Sequence, residues 1–416
     1  MGAPVDRHRA AQPSPGRRRA LGRLAAGAWL AAGPCGAALA QGEAGHDKGT
    51  PGMKQHPAAG LAAAATFDRQ GNLWAVNFDG AHLVVRQSAD LGQRWTPPVR
   101  IFATPEPMDS GGDAKPNIAT GPGGEVYVTW TTPLAKPYTG EVRFTRSTDG
   151  GRTFAKPRRV HADSQVITHR FDAMTVARDG RLFIAWVDKR DGVAAGGKPS
   201  DYAGAAIYYA VSDDRGATFR GDYKVADHSC ECCRIALLPQ ADGSVLGLWR
   251  HVFAPNTRDH ALARLDGSGT ASGFRRATFD DWRIDVCPHH GPSLAADAQG
   301  RLHGVWYTGA AGRAGVYYGR FDDGAVAGQR RVGGDTAEHA DLASAGNRLA
   351  IAWKEFDGER STLRALLSED AGATFAERQV AVTADASDQP RLLVRDGRFH
   401  AFWNTRAEPL RVVSLP

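Results

Sequence analysis

Seven times along the chain a short apolar strand carries a tryptophan, and no other feature restricts the possible folds as strongly. The segments are Leu73-Trp74-Ala75-Val76, Val126-Tyr127-Val128-Thr129-Trp130, Leu182-Phe183-Ile184-Ala185-Trp186, Val245-Leu246-Gly247-Leu248-Trp249, Leu302-His303-Gly304-Val305-Trp306, Leu349-Ala350-Ile351-Ala352-Trp353 and Phe399-His400-Ala401-Phe402-Trp403. Each follows a strand that closes on a Gly turn and precedes a third strand, so each unit is a small antiparallel sheet. A sheet of that size cannot bury both its faces alone, whereas several packed radially can. The repeat predicts an all-β, seven-bladed propeller with four strands per blade. The seventh unit lacks an outer strand, which the segment after residue 48 is placed to supply.

A second repeat lies on the third strands: Ser88-x-Asp90-x-Gly92-x-x-Trp95, Ser147-x-Asp149-x-Gly151-x-Thr153-Phe154, Ser212-x-Asp214-x-Gly216-x-Thr218-Phe219 and Ser368-x-Asp370-x-Gly372-x-Thr374-Phe375. The carboxylate accepts backbone N–H groups in a tight turn, the Gly takes backbone angles other residues avoid, and the aromatic plugs the blade edge. These four copies resemble the Asp box of the bacterial neuraminidase (BNR-repeat) family. The resemblance implies a sialidase-like propeller, in which six blades are usual, so six is the alternative count. It also implies that the box aspartates are structural and lie away from the active face.

The N-terminus reads as an export signal. Arg17, Arg18, Arg19 and Arg23 precede an Ala/Leu-rich run that ends in Ala38-Leu39-Ala40, a pattern of basic start, short apolar stretch and small-residue cleavage site. The expected organisation is a signal peptide over residues 1–40, cleaved near Ala40 and carrying Cys35 away, a polar arm over 41–58, and one propeller over 59–416. Export to the periplasm or beyond follows. Residues 1–40 hold six Arg against one Asp, so the formal charge of +6 falls near +1 once they are removed. The remainder has no basic run to suit a nucleic-acid partner, and no stretch long enough to span a bilayer.

Four cysteines remain, and their placement is the strongest functional signal. Counting back thirteen residues from the turn glycines Gly243 and Gly300 reaches Cys230 and Cys287, and superimposes Cys230-Glu231-Cys232-Cys233 on Cys287-Pro288-His289-His290. In a propeller, residues just ahead of the innermost strand converge near the axis. The same count brings in His169 of blade three; blade six contributes His339, and His56 stands in the N-terminal arm beside His46 and Met53. Thiolates with imidazoles suit a soft or borderline ion, copper first and zinc as the alternative. An even count of cysteines in an exported chain equally fits disulfides such as Cys230 with Cys287, or a redox-active pair at Cys232 and Cys233.

The resemblance implies a competing role as an exo-sialidase, which needs three arginines around a carboxylate, a Tyr nucleophile with a Glu partner, and an acid/base Asp. The early Arg-Ile-Pro signature of that family is missing. Arg170, Arg190, Arg250 and Arg406 fall where the central face is expected, and Asp172, Asp188, Glu355 and Tyr307 are the available acids, bases and nucleophile. A third reading is a propeller that binds a glycan or a periplasmic protein, with the Gly192 to Asp201 insert as part of its surface.

Overall fold

The structure is a computed structural model describing residues 60–110, 113–196, 203–285 and 288–416. The expected signal peptide, the polar arm with His46, Met53 and His56, and Cys287 lie outside the described residues. Seven antiparallel sheets follow one another in chain order, six of four strands and the last, over residues 391–414, of three. The seven-bladed count therefore holds. The segment expected to complete blade seven lies outside the described residues.

The innermost strands run Ala63–Phe67, Asn117–Thr120, His169–Val176, Ala236–Pro239, Ser293–Ala296, Ala337–Ala345 and Arg391–Arg395. Each contacts its two neighbours, and the seventh returns to the first. Two bonds lock this closure: Asn404 Nδ2 donates to Leu61 O (2.6 Å) and the Ala63 N–H to Asp388 Oδ2 (3.3 Å). Along the axis the inner strands enclose a cavity of about 310 Å³ with charged walls, among them Asp113, Lys115, Asp172, Arg234, Asp341 and Arg391.

The repeated tryptophans explain the packing between blades. Trp130, Trp186, Trp249, Trp306, Trp353 and Trp403 are fully buried between neighbouring sheets. A buried indole N–H needs an acceptor, and the chain often supplies one two residues on, on the same side of the strand. Trp130 donates to Thr132 Oγ1 (3.0 Å), Trp186 to Asp188 Oδ2 (2.8 Å) and Trp353 to Glu355 Oε1 (2.9 Å).

The four Ser-x-Asp-x-Gly turns fold alike. In each the Ser Oγ accepts the Gly N–H at 2.8 Å, and the Asp carboxylate accepts the backbone N–H four residues on at 2.8–3.0 Å. The glycine has a positive φ, and it also has no room for a side chain. A Cβ on Gly151 would stand 2.5 Å from the Trp74 ring, and one on Gly216 would stand 2.6 Å from Phe144. The turns of blades two, three and six thus press onto an aromatic of the blade before, Trp74, Phe144 and Tyr318, while Gly92 meets Val412; in blade three the turn's own aromatic adds to the contact, Phe219 meeting Phe144 edge-on at 4.9 Å.

Candidate metal centre

The chain leaves the outer strand of blade three at Ser229 and crosses inward to blade four. There the Cys230 N–H donates to Arg250 O (2.9 Å), pinning the first cysteine to the end of the second strand of blade four. Cys230, Cys232 and Cys233 are 1%, 5% and 3% exposed, and they pack with Phe171, Val187, Ile207 and Trp249. Their three sulfurs lie within 4.8 Å of one another. Cys230 Sγ is 3.8 Å from Cys232 Sγ and 3.5 Å from Cys233 Sγ, too far apart for an S–S bond. Three sulfurs sharing one ion at about 2.3 Å would stand roughly 3.8–4.0 Å apart. The trio is therefore close to the spacing a single ion requires.

Opposing influences act on the sulfurs, with burial holding the proton on and a nearby cation working against it. Burial pushes the Cys233 thiol well above its ordinary range, with the Cys230 hydrogen bond adding to the effect, while Arg250 acts in the opposite direction. Arg250 is 1% exposed. Its guanidinium donates to the carbonyls of Arg258 (2.9 Å), His290 (3.0 Å) and Tyr307 (2.7 Å) and rests on the Trp282 ring at 4.9 Å. Among the described residues no carboxylate forms an ion pair with it. A buried cation without a counter-charge is costly, and deprotonated thiols beside it would offset that cost.

The second predicted segment lies alongside the first. Asp113, just ahead of the inner strand of blade two, accepts the Arg234 N–H (3.1 Å) and the Gly291 N–H (2.7 Å) on one oxygen. Those donors directly follow Cys233 and His290, so one carboxylate ties the cysteine segment to the histidine segment. Gly291 allows the approach, since a Cβ there would fall 2.1 Å from Arg234 Cγ and 2.8 Å from its backbone N and O. His290 stacks on Tyr307 (4.3 Å between ring centres) and adjoins His339 (4.6 Å). Burial pushes the His290 imidazole down to about 4 and lowers His339 as well, so both are neutral at pH 7, as ligands must be. His289 and His339 adopt left-handed backbone angles, φ 52° and 51°, of the kind that store strain at functional sites.

His290 and His339 form a group of their own. Among the described residues the metal-compatible trio is the three cysteines, and neither His289, His290 nor His339 joins it. His169 belongs to a separate network in blade three. It stacks on His161 at 3.9 Å, and its Nε2 lies 3.6 Å from Asp163 and 3.7 Å from Asp188. His260, which the sequence analysis passed over, is fully buried within electrostatic reach of Cys230 and Arg250, and its Nε2 has no hydrogen-bond partner. It pairs across the sheet with Arg250, a register that could have drawn attention to it.

The residues weighed for sugar hydrolysis are mostly occupied by structural partners. Arg170 pairs with Asp109 (2.5 Å), and Arg190 with Asp188 and Asp222 (2.7 Å each). Asp188 and Glu355 accept tryptophan N–H groups, and Glu355 also takes the Gly334 N–H (2.8 Å). Asp172 faces the axial cavity, bonded to Thr131 Oγ1 (3.0 Å) and Asn117 Nδ2 (2.9 Å), with burial pushing its carboxyl up. Arg406 is exposed at the rim, its backbone N–H on Ala386 O.

No family model and no curated protein matches the sequence. Solved structures share the fold. An ulvan lyase, a polysaccharide lyase, superimposes with a TM-score of 0.54 at 12% identity over 89% of this chain and 93% of its own. An α-L-arabinanase of Penicillium chrysogenum gives 0.50 at 16% identity over 76% and 95%. The NanB sialidase of Streptococcus pneumoniae gives 0.46 at 10% identity over 71% and 65%. The first two superpositions show that the chain shares its fold with these proteins. No helix among the described residues is long and apolar enough to cross a membrane.

Proposed function

We propose that this protein is an exported propeller that captures a soft transition-metal ion, copper as Cu(I), through the thiolates of Cys230, Cys232 and Cys233. Cys287, His289, His290 and His339 stand as the ligands and neighbours that complete the site. The observation that carries this reading is the gathering of three buried sulfurs within 4.8 Å beside the unpaired Arg250 cation. Soft thiolate ligands favour Cu(I), which takes three such ligands readily; zinc is the alternative and would add a fourth. Three thiolates on Cu(I) carry a net charge of −2, and Arg250 and the buried Arg234 supply the compensating charge. Because each cysteine loses its proton on binding, affinity falls as pH is lowered.

The test is metal content by mass spectrometry with thiol titration, on protein exported to the periplasm and purified without chelator. Near-stoichiometric copper that disappears in the double variant Cys232→Ser plus Cys233→Ser supports the assignment. Copper retained by that variant sinks it, and zinc in place of copper corrects the ion. A chain with no metal and no titratable thiol would return the weight to a glycan-acting propeller using its charged axial cavity. That second reading is favoured by the architecture alone, since the arginines it needs are largely held by other partners.

A further inference from the structure

A cleft of about 630 Å³ opens between blades three and four beside the Cys230–Cys233 segment. Glu231, the half-exposed residue between Cys230 and Cys232, forms one wall, and Asp285, two residues ahead of Cys287, forms another. Lys189 and Val193 of blade three, with Asn256 and Arg258 of blade four, complete it. Its volume suits a small molecule.

The charges in the cleft are not equivalent. Lys189 and Glu231 neutralise one another at 2.5 Å. Arg258 and Asp285 remain, and the Asn256 amide spaces them: its Nδ2 donates to Asp285 Oδ1 (2.6 Å) and its Oδ1 accepts from Arg258 Nε (3.3 Å). Among the described residues Arg258 has no acidic partner and Asp285 no basic one. One unneutralised cation and one unneutralised anion, held apart in a small cleft, match a zwitterion carrying a carboxylate and an ammonium group.

The thiols themselves are almost fully covered, so a donor protein's surface cannot press directly against them. Aqueous Cu(I) disproportionates, so the ion must arrive on a ligand. Resting on the soft-metal reading above, we infer that the cleft binds a small zwitterionic thiol, an amino acid or short peptide of the cysteine type, which delivers or removes the ion. In delivery a copper–sulfur bond to the carrier breaks as one to a protein cysteine forms. The proton of that cysteine leaves on the carrier thiolate, and copper stays Cu(I) throughout. The Arg258 side chain serves the cleft while its carbonyl accepts from buried Arg250, so the side chain can be changed without removing that bond.

The first measurement uses S-methyl-L-cysteine, a zwitterion whose blocked sulfur has no thiol to deprotonate, titrated calorimetrically into the purified protein. Saturable binding, weakened about tenfold or more by Arg258→Gln and by Asp285→Asn, is expected for the loss of a charge-assisted hydrogen bond. No binding to the unaltered protein, or binding indifferent to both substitutions, overturns the cleft assignment. The second measurement compares copper uptake from Cu(I)–cysteine and from Cu(I)–2-mercaptoethanol, an uncharged carrier. Arg258→Gln should slow uptake from the first about tenfold, leave the second unchanged, and keep the same final stoichiometry. Equal slowing from both carriers overturns the carrier role. If S-methyl-L-cysteine binds as expected but neither carrier loads the protein, the metal assignment falls while the zwitterion site stands.

Discussion

Asp113→Ala tests whether one carboxylate organises the centre. The side chain is fully buried and accepts the N–H groups of Arg234 and Gly291, with the Gln389 amide at 3.3 Å on its other oxygen. Removing it strands two backbone donors between blades, each costing about 1–3 kcal/mol when left unpaired. Arg234 also loses its nearest carboxylate, 3.8 Å away, but keeps its bonds to Pro292 O and Ala340 O. Asp113 and Arg234 both border the axial cavity, so water can replace part of what is lost, and a net destabilisation of about 3–4 kcal/mol is expected. Asp113→Asn keeps one acceptor and should cost about half as much. Urea unfolding, with its midpoint and slope compared across the three proteins, measures the loss. A chelator competition for copper at a temperature where all three are folded measures the effect on the site, where the alanine variant should bind more weakly. A loss below about 1 kcal/mol with unchanged copper affinity would refute the claim that Asp113 joins the two segments.

Gly291→Ala drives a methyl into Arg234 and should cost about 1–3 kcal/mol with reduced metal loading, read by thermal melting and metal content; a neutral result would mean the segments separate easily. Asp214→Ala removes the acceptor of the Thr218 N–H and hydroxyl and should lower stability by about 1 kcal/mol without changing metal content, because the turn lies away from the centre. His161 and His251 are buried, and burial pushes their pKa values down to about 3 and about 4. The unfolded chain therefore takes these protons first, at about 6.5, so stability is greatest above that pH and declines below it, by up to about 1.4 kcal/mol per pH unit for each histidine. Melting curves from pH 7.5 to 5 should show this fall, and a flat profile would contradict the burial argument.

The local features could be read in the sequence because their physics is local. The tryptophan strands and the Ser-x-Asp-x-Gly turns repeat, and each carries its own hydrogen bonds within a few residues, so the blades and their number followed from spacing. The three cysteines are neighbours in the chain, so their proximity needed little folding to predict. The blade repeat put His289 and His290 in the segment matching the cysteines, but a repeat fixes position only to within a residue or so, and ligation depends on finer distances. Asp188 and Glu355 looked like candidate acids because both stand just beyond a tryptophan near the central face; that same spacing makes them acceptors for the indole two residues back.

The parts contributed from across the ring were hidden. Asp113 belongs to no repeated motif and stands 178 positions from Gly291, while Arg250 is held by carbonyls of three separate segments. Sequence alone determined which units form and where the sulfurs cluster, because alternation, turn geometry and chain adjacency act over a few residues. Only the tertiary structure decided what surrounds those sulfurs, because closing seven blades into a ring sets distances that no single blade encodes.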